Sequence, residues 1–207
     1  MNERDLKVVD KIFNEIHELD NRGSIVFKTN FTQIAKTNLL LLKGLIDINN
    51  EAGLFVVLDR PHQYMSYLLH MHDITQENLW YIDTVSHMSG EKAKDNDNVN
   101  FLDGPFHVED LFESFEAHID IGSKGKFTDI DNINFILVDN VSTMLNYNTT
   151  DRVKKFIELF KDFIDNHAHL LGGITIDPES NPELNDIVNE YFDYKIDIET
   201  IKKEVLQ

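Results

Sequence analysis

Apolar residues in this chain recur with two periods, and the alternation between them sets out the fold. Leu6, Val9, Ile12, Phe13, Ile16 and Leu19 stand at helical spacing. They predict an amphipathic helix over about 3–20, closed by Asn21-Arg22-Gly23, where glycine suits the C-terminal cap. Residues 1–22 therefore form an N-terminal helical segment. It packs either on its own domain, the simpler reading, or against another chain. Residues 24–28 then predict a buried strand, and a helix follows a loop over about 35–49. Residues 54–58 (Leu-Phe-Val-Val-Leu) do not alternate, as befits a strand covered on both faces. Pro61 suits the first turn of a helix over 61–72. Further strands are predicted at 79–85, 133–138 and 170–176, with helices at about 108–119, 150–166 and 182–191. A turn is expected at 122–126. Residues 191–198 alternate with a period of two, which suits an edge strand. The tail, 199–207, is polar and helical.

Strand and helix alternate over 23–198, which predicts an α/β domain: a mainly parallel sheet with helices on both faces. Residues 89–103 interrupt the pattern. They are polar, without apolar period, and predict an exposed loop. Asp95 and Asp97 suggest a calcium loop, but an EF-hand frame starting at Asp95 puts Asn100 at the glycine position and Phe106 at the bidentate glutamate.

Composition narrows the function classes. The 207 residues suffice for one sizeable core. Lys and Arg number 19 against 37 Asp and Glu, a net charge of −18, which disfavours nucleic acid as a partner. There is no cysteine, so disulfides and thiolate chemistry are excluded. The charged N-terminus and the short apolar runs predict a cytoplasmic protein without a membrane partner. His70-Met71-His72 and His167-Ala168-His169 sit near predicted helix ends without an evident third metal ligand.

Candidate chemistry gathers at the carboxyl ends of the strands, where ligands of such sheets sit. The loop after the first strand keeps the spacing of a phosphate-binding loop: Asn30, four residues, then Ala35-Lys36-Thr37. Both glycines are replaced. Lys36 offers an ammonium and Thr37 a magnesium-binding hydroxyl. Asn30 and Ala35 are mild changes, whereas Phe31 and Ile34 crowd the place of the phosphates and resist positive φ. Asp139 ends the strand Ile133-Asn134-Phe135-Ile136-Leu137-Val138, and Asp59 ends that of 54–58.

These three sites, in the chain order loop, Asp59, Asp139, resemble the RecA/KaiC-like branch of the P-loop NTPases, particularly the KaiC-like proteins common in archaea. The segment Phe135-Ile136-Leu137-Val138-Asp139-Asn140-Val141-Ser142-Thr143 resembles the family's Walker B strand and turn. Leu58-Asp59-Arg60-Pro61 falls where the family carries its water-polarising glutamates. Trp80-Tyr81-Ile82-Asp83-Thr84-Val85-Ser86 is similar to its next strand. The resemblance implies a RecA/KaiC-like P-loop NTPase fold over 23–198 with a degenerate Walker A loop. It implies a nucleotide site at Asn30, Ala35, Lys36 and Thr37, with magnesium on Thr37 and Asp139, Asp59 as the catalytic carboxylate, and ring-like self-association. Two functions follow. One is a non-catalytic or weakly nucleotide-binding regulatory module acting in signalling through protein partners or self-association. The other is an ATPase using ATP and magnesium. A third reading, a flavodoxin-like or Rossmann-like domain, lacks a Gly-x-Gly-x-x-Gly loop. An Asp139 strand lying directly beside the first strand would favour it, since RecA-like sheets insert another strand between them.

Overall fold

The computed structural model describes residues 1–19, 22–88, 90, 98–104, 111 and 133–206. Among them seven strands build one parallel sheet: β1 (Gly23–Lys28), β2 (Gly53–Val57), β3 (Leu79–Asp83), β4 (Val99–Phe101), β5 (Phe135–Val138), β6 (Leu171–Ile176) and β7 (Tyr194–Asp197). Their order is β4-β3-β2-β5-β6-β1-β7. β6 therefore lies between β1 and the strand that leads into Asp139.

The helices are α1 (Glu3–His17), α2 (Ile34–Leu42), α3 (His62–Met71), α4 (Thr150–Asp165), α5 (Pro182–Tyr191) and α6 (Ile198–Glu204). Successive strand residues point to opposite faces, and both faces are buried. Ile25, Phe27, Phe55 and Val57 pack with α1, α2, α3 and α6. Val26, Leu54, Val56 and Val138 pack with α4 and α5. This is why the strands carry unalternating apolar runs.

The N-terminal helix α1 packs on α2 and α6 of its own chain. It buries Val8, Val9, Ile12 and Phe13. Phe13 lies against Gly44, where a side chain would overlap its ring. That contact falls where the helix predicted over 35–49 changes winding. Regular α-helix ends at Leu42, and Lys43–Ile48 widens into a π-helical segment closed by Asn49 N–H on the Gly44 carbonyl.

Two further expectations are corrected. The strand predicted over 79–85 ends at Asp83, whose carboxylate takes the N–H groups of Val85 and Ser86 and turns the chain. Within the predicted exposed loop, 89–103, residues Val99–Phe101 form β4 beside β3, with Val99 buried. Three residues are too few for periodicity to reveal, and the pairing supplies what the pattern lacks. Residue 89 and residues 91–97, the helix predicted at 108–119 save Leu111, and the turn predicted at 122–126 lie outside the described residues. The edge strand of the 191–198 segment is β7, and the tail begins as α6.

Candidate functional site

The carboxyl ends of β1, β2, β5 and β6 converge on one edge of the sheet. After β1, Thr29 still donates its N–H to the Ile176 carbonyl at 3.1 Å. Asn30 is extended (φ −66°, ψ 145°), and Phe31–Gln33 form a 3₁₀ turn that runs straight into α2. No residue from 29 to 37 has positive φ. The backbone N–H groups thus form no concave nest, which requires a left-handed residue. The first free N–H of this turn, on Phe31, donates to the Asp177 carboxylate at 3.2 Å. Asp177 follows β6 and also accepts from Glu179 N–H, Ser180 N–H and the Ser180 hydroxyl. Burial alone would raise its pKa, but these donors hold it below the usual carboxylate value.

The predicted site residues separate. Thr37 is fully buried, and its hydroxyl pairs with that of Thr29 at 3.1 Å. Thr29 in turn donates to Glu199 at 2.9 Å. Lys36 points toward α1 and pairs with Asp5 at 2.7 Å. Asn30 opens on the other side, into a depression it shares with Asp177 and Glu199. Ala35, Lys36, Asp59 and Asp139 do meet. They line one cleft of about 380 Å³ between α2 and α3, with Phe31 and Tyr64 at its sides.

Asp139 forms the floor of this cleft. It is only 6% exposed. Its Oδ1 accepts from Asn38 Nδ2 at 2.6 Å, and Asn38 Oδ1 accepts from the Thr175 hydroxyl at 2.8 Å. Burial, with the negative charge of Asp59 added, pushes the Asp139 carboxyl up to about 7, against the opposing bond from Asn38. The next residue, Asn140, takes the left-handed conformation (φ 37°), which asparagine tolerates better than most residues. At the rim, Arg60 lies 3.6 Å from the Asp59 carboxylate and stacks over the Tyr64 ring at 4.6 Å.

Asn38, Asp177 and Tyr64 are the residues that motif spacing passed over. Asn38 carried a signal: it is the polar residue that opens the run Leu39 to Leu42. Asp83 has a structural role one strand further on. It accepts from His62 N–H and Nδ1, at 2.8 and 2.7 Å, and from the Ser86 hydroxyl at 2.8 Å. Burial opposes ionisation there, but these donors lower its pKa to about 2. Among the described residues, no group of three His, Cys, Asp or Glu is placed to hold a metal ion. None of the described helices is long and apolar enough to cross a membrane.

No protein-family model matches the chain, and no curated protein matches it in sequence. Its fold is shared with solved structures. An uncharacterised protein from Pyrococcus horikoshii, crystallised in complex with an unknown peptide, superposes with a TM-score of 0.66 at 14% identity, covering 92% of this chain and 83% of that one. A second Pyrococcus horikoshii protein superposes with a TM-score of 0.54 at 10% identity, covering 92% and 87%. At such identities the likeness extends to the α/β fold.

Proposed function

We propose that this chain is a non-catalytic interaction module on a RecA/KaiC-like framework, acting in regulation by holding a polypeptide segment in the cleft between α2 and α3. The observation that carries this reading is the Asp177 carboxylate on the Phe31 N–H. A P-loop offers its helix N-terminus to a phosphate. Here the chain supplies its own anion at that position, and a triphosphate would meet a fixed negative charge.

Other features support the same reading. Magnesium-ATP does not fit the arrangement of residues 29–37. The loop has no nest, Phe31 projects with 54% exposure, the Thr37 hydroxyl is committed to Thr29, and the Lys36 ammonium is committed to Asp5. The strand order, with β6 between β1 and β5, favours the RecA-like framework over the flavodoxin-like one. The fold neighbour crystallised with an unknown peptide lends support to a polypeptide ligand.

Calorimetric titration with ATP and magnesium tests the proposal. No binding is expected at millimolar ATP. Binding that Lys36→Ala abolishes would overturn the proposal and revive the ATPase reading, with Lys36, Thr37, Asp59 and Asp139 in the roles that the family resemblance implies.

A further inference from the structure

The chemistry of the cleft floor specifies what the cleft takes. Asp139 is a carboxylate more than nine-tenths buried, and among the described residues only its Oδ1 has a hydrogen-bond partner. The residue lines the cleft, which leaves its second oxygen to a ligand there. A second carboxylate, Asp59, faces the same space. The nearby cations are occupied: Lys36 with Asp5, and Arg60 with Asp59 and the Tyr64 ring. The walls above the floor are apolar, formed by Leu39, Val57, Met65 and Leu68. Arg60 acts on Asp139 from a distance and the Met1 terminus shares the cleft, but among the described residues no cation is bonded to this buried carboxylate, so a charged ligand that reaches it relieves a desolvation cost.

We infer that the cleft binds a lysine side chain presented by a peptide segment with apolar residues beside it, the lysine ammonium pairing with Asp139 at the floor. This rests on the interaction reading above and adds the ligand's chemistry. Three features select lysine. Among the described residues no third metal ligand joins the two carboxylates, which disfavours a bare metal ion. Asn38 already engages one Asp139 oxygen at 2.6 Å, and a single ammonium, a point charge, needs only the other. The apolar walls suit the four-carbon lysine stem. The flanking apolar residues meet Phe31 (54% exposed) and Tyr64 (38% exposed) at the mouth. A chain of net charge −18 attracts such a segment over distance.

The other charged or titratable groups lining the cleft are Asp5 and the Met1 terminus from α1, Lys36 from α2, Asp59 and Arg60 from the β2–α3 loop, and His72 at the end of α3.

The experiment is selection of phage-displayed random heptapeptides on the full chain. Anisotropy titrations of the recovered peptides follow, against wild type, Asp139→Asn and Tyr64→Ala, with circular dichroism confirming each fold. Recovered peptides are expected to carry lysine beside apolar residues. Their affinity should fall at least tenfold on Asp139→Asn and on replacing lysine by norleucine, without the two losses adding. The norleucine peptide keeps the test decisive should Asp139→Asn fail to fold. Peptides without a cation, weakened by Tyr64→Ala but not by Asp139→Asn, overturn the lysine inference and leave the interaction module standing. Recovery of no binder overturns the inference, whereas the interaction reading itself falls if ATP binds in the separate titration.

Discussion

Replacing Asp139 by asparagine should make the protein more stable at pH 8 while leaving it little changed at pH 4. Burial of the Asp139 carboxyl and the negative charge of Asp59 raise it from 3.8 to about 7, against the opposing effects of the Asn38 hydrogen bond and the Arg60 charge. The sign follows from proton linkage. Below pH 3.8 both folded and unfolded chains hold the proton, and nothing is lost. Between 3.8 and about 7 the unfolded chain ionises and the folded one does not, so stability falls with rising pH. Above about 7 both are ionised, and the folded state carries the full penalty. At 1.36 kcal/mol per unit, a rise of that size is on the order of 4 kcal/mol. Asparagine is nearly isosteric, still accepts from Asn38 and never ionises. Urea unfolding of both proteins at intervals from pH 4 to pH 8 measures the difference. The stability gap in favour of asparagine is expected to open steadily through this range and to level off near pH 8. Parallel curves would refute the reasoning, because they would mean that Asp139 ionises in the folded chain as easily as in the unfolded one.

Other substitutions probe the surrounding framework. Asp83→Asn should cost about 2 kcal/mol at pH 7, since the ionised carboxylate gathers three residues' donors and its pKa falls from 3.8 to about 2. That contribution is present above 3.8 and lost as pH falls towards about 2, so denaturation curves of wild type and variant should converge in acid. Gly44→Ala would place a methyl group 1.9 Å from a Phe13 ring carbon. A helical site normally gains ~1 kcal/mol from this change, but here overpacking should give a net loss of about 1–2 kcal/mol and faster proteolysis of α1. Lys36→Ala removes a partly exposed ion pair with Asp5 and should shift stability by less than ~1 kcal/mol in thermal unfolding.

The sheet was legible because its strands are buried on both faces and separated by amphipathic helices. Runs such as Leu54 to Leu58 and Phe135 to Val138 announce themselves by composition alone. What escaped was decided by partners rather than by period. Asp83 ends β3 through its own side chain, two residues before the apolar pattern stops. Strand β4 exists because β3 offers it an edge, and three residues leave no rhythm to read. The π-helical segment contains Gly44, over which the docking of α1 brings Phe13, a contact that local periodicity does not carry.

The sequence placed the candidate site residues at the strand ends but not their partners, and the reason is sequence distance. The spacing from Asn30 to Thr37 is that of a phosphate loop, and spacing is a local property. Whether such a loop is open to a phosphate depends on what already occupies its N–H groups. Here that is Asp177, 146 residues from Phe31 in the chain. Likewise Asp139 looks like a metal-holding carboxylate when read along its own strand. Its chemistry changes once Asn38, 101 residues away, holds one oxygen and burial withdraws the other from bulk water. On the reading proposed above, such a carboxylate serves a single ammonium on an apolar stem, and Phe31 and Ile34, which crowd the place of a phosphate in the loop, build the apolar side of the cleft that receives it.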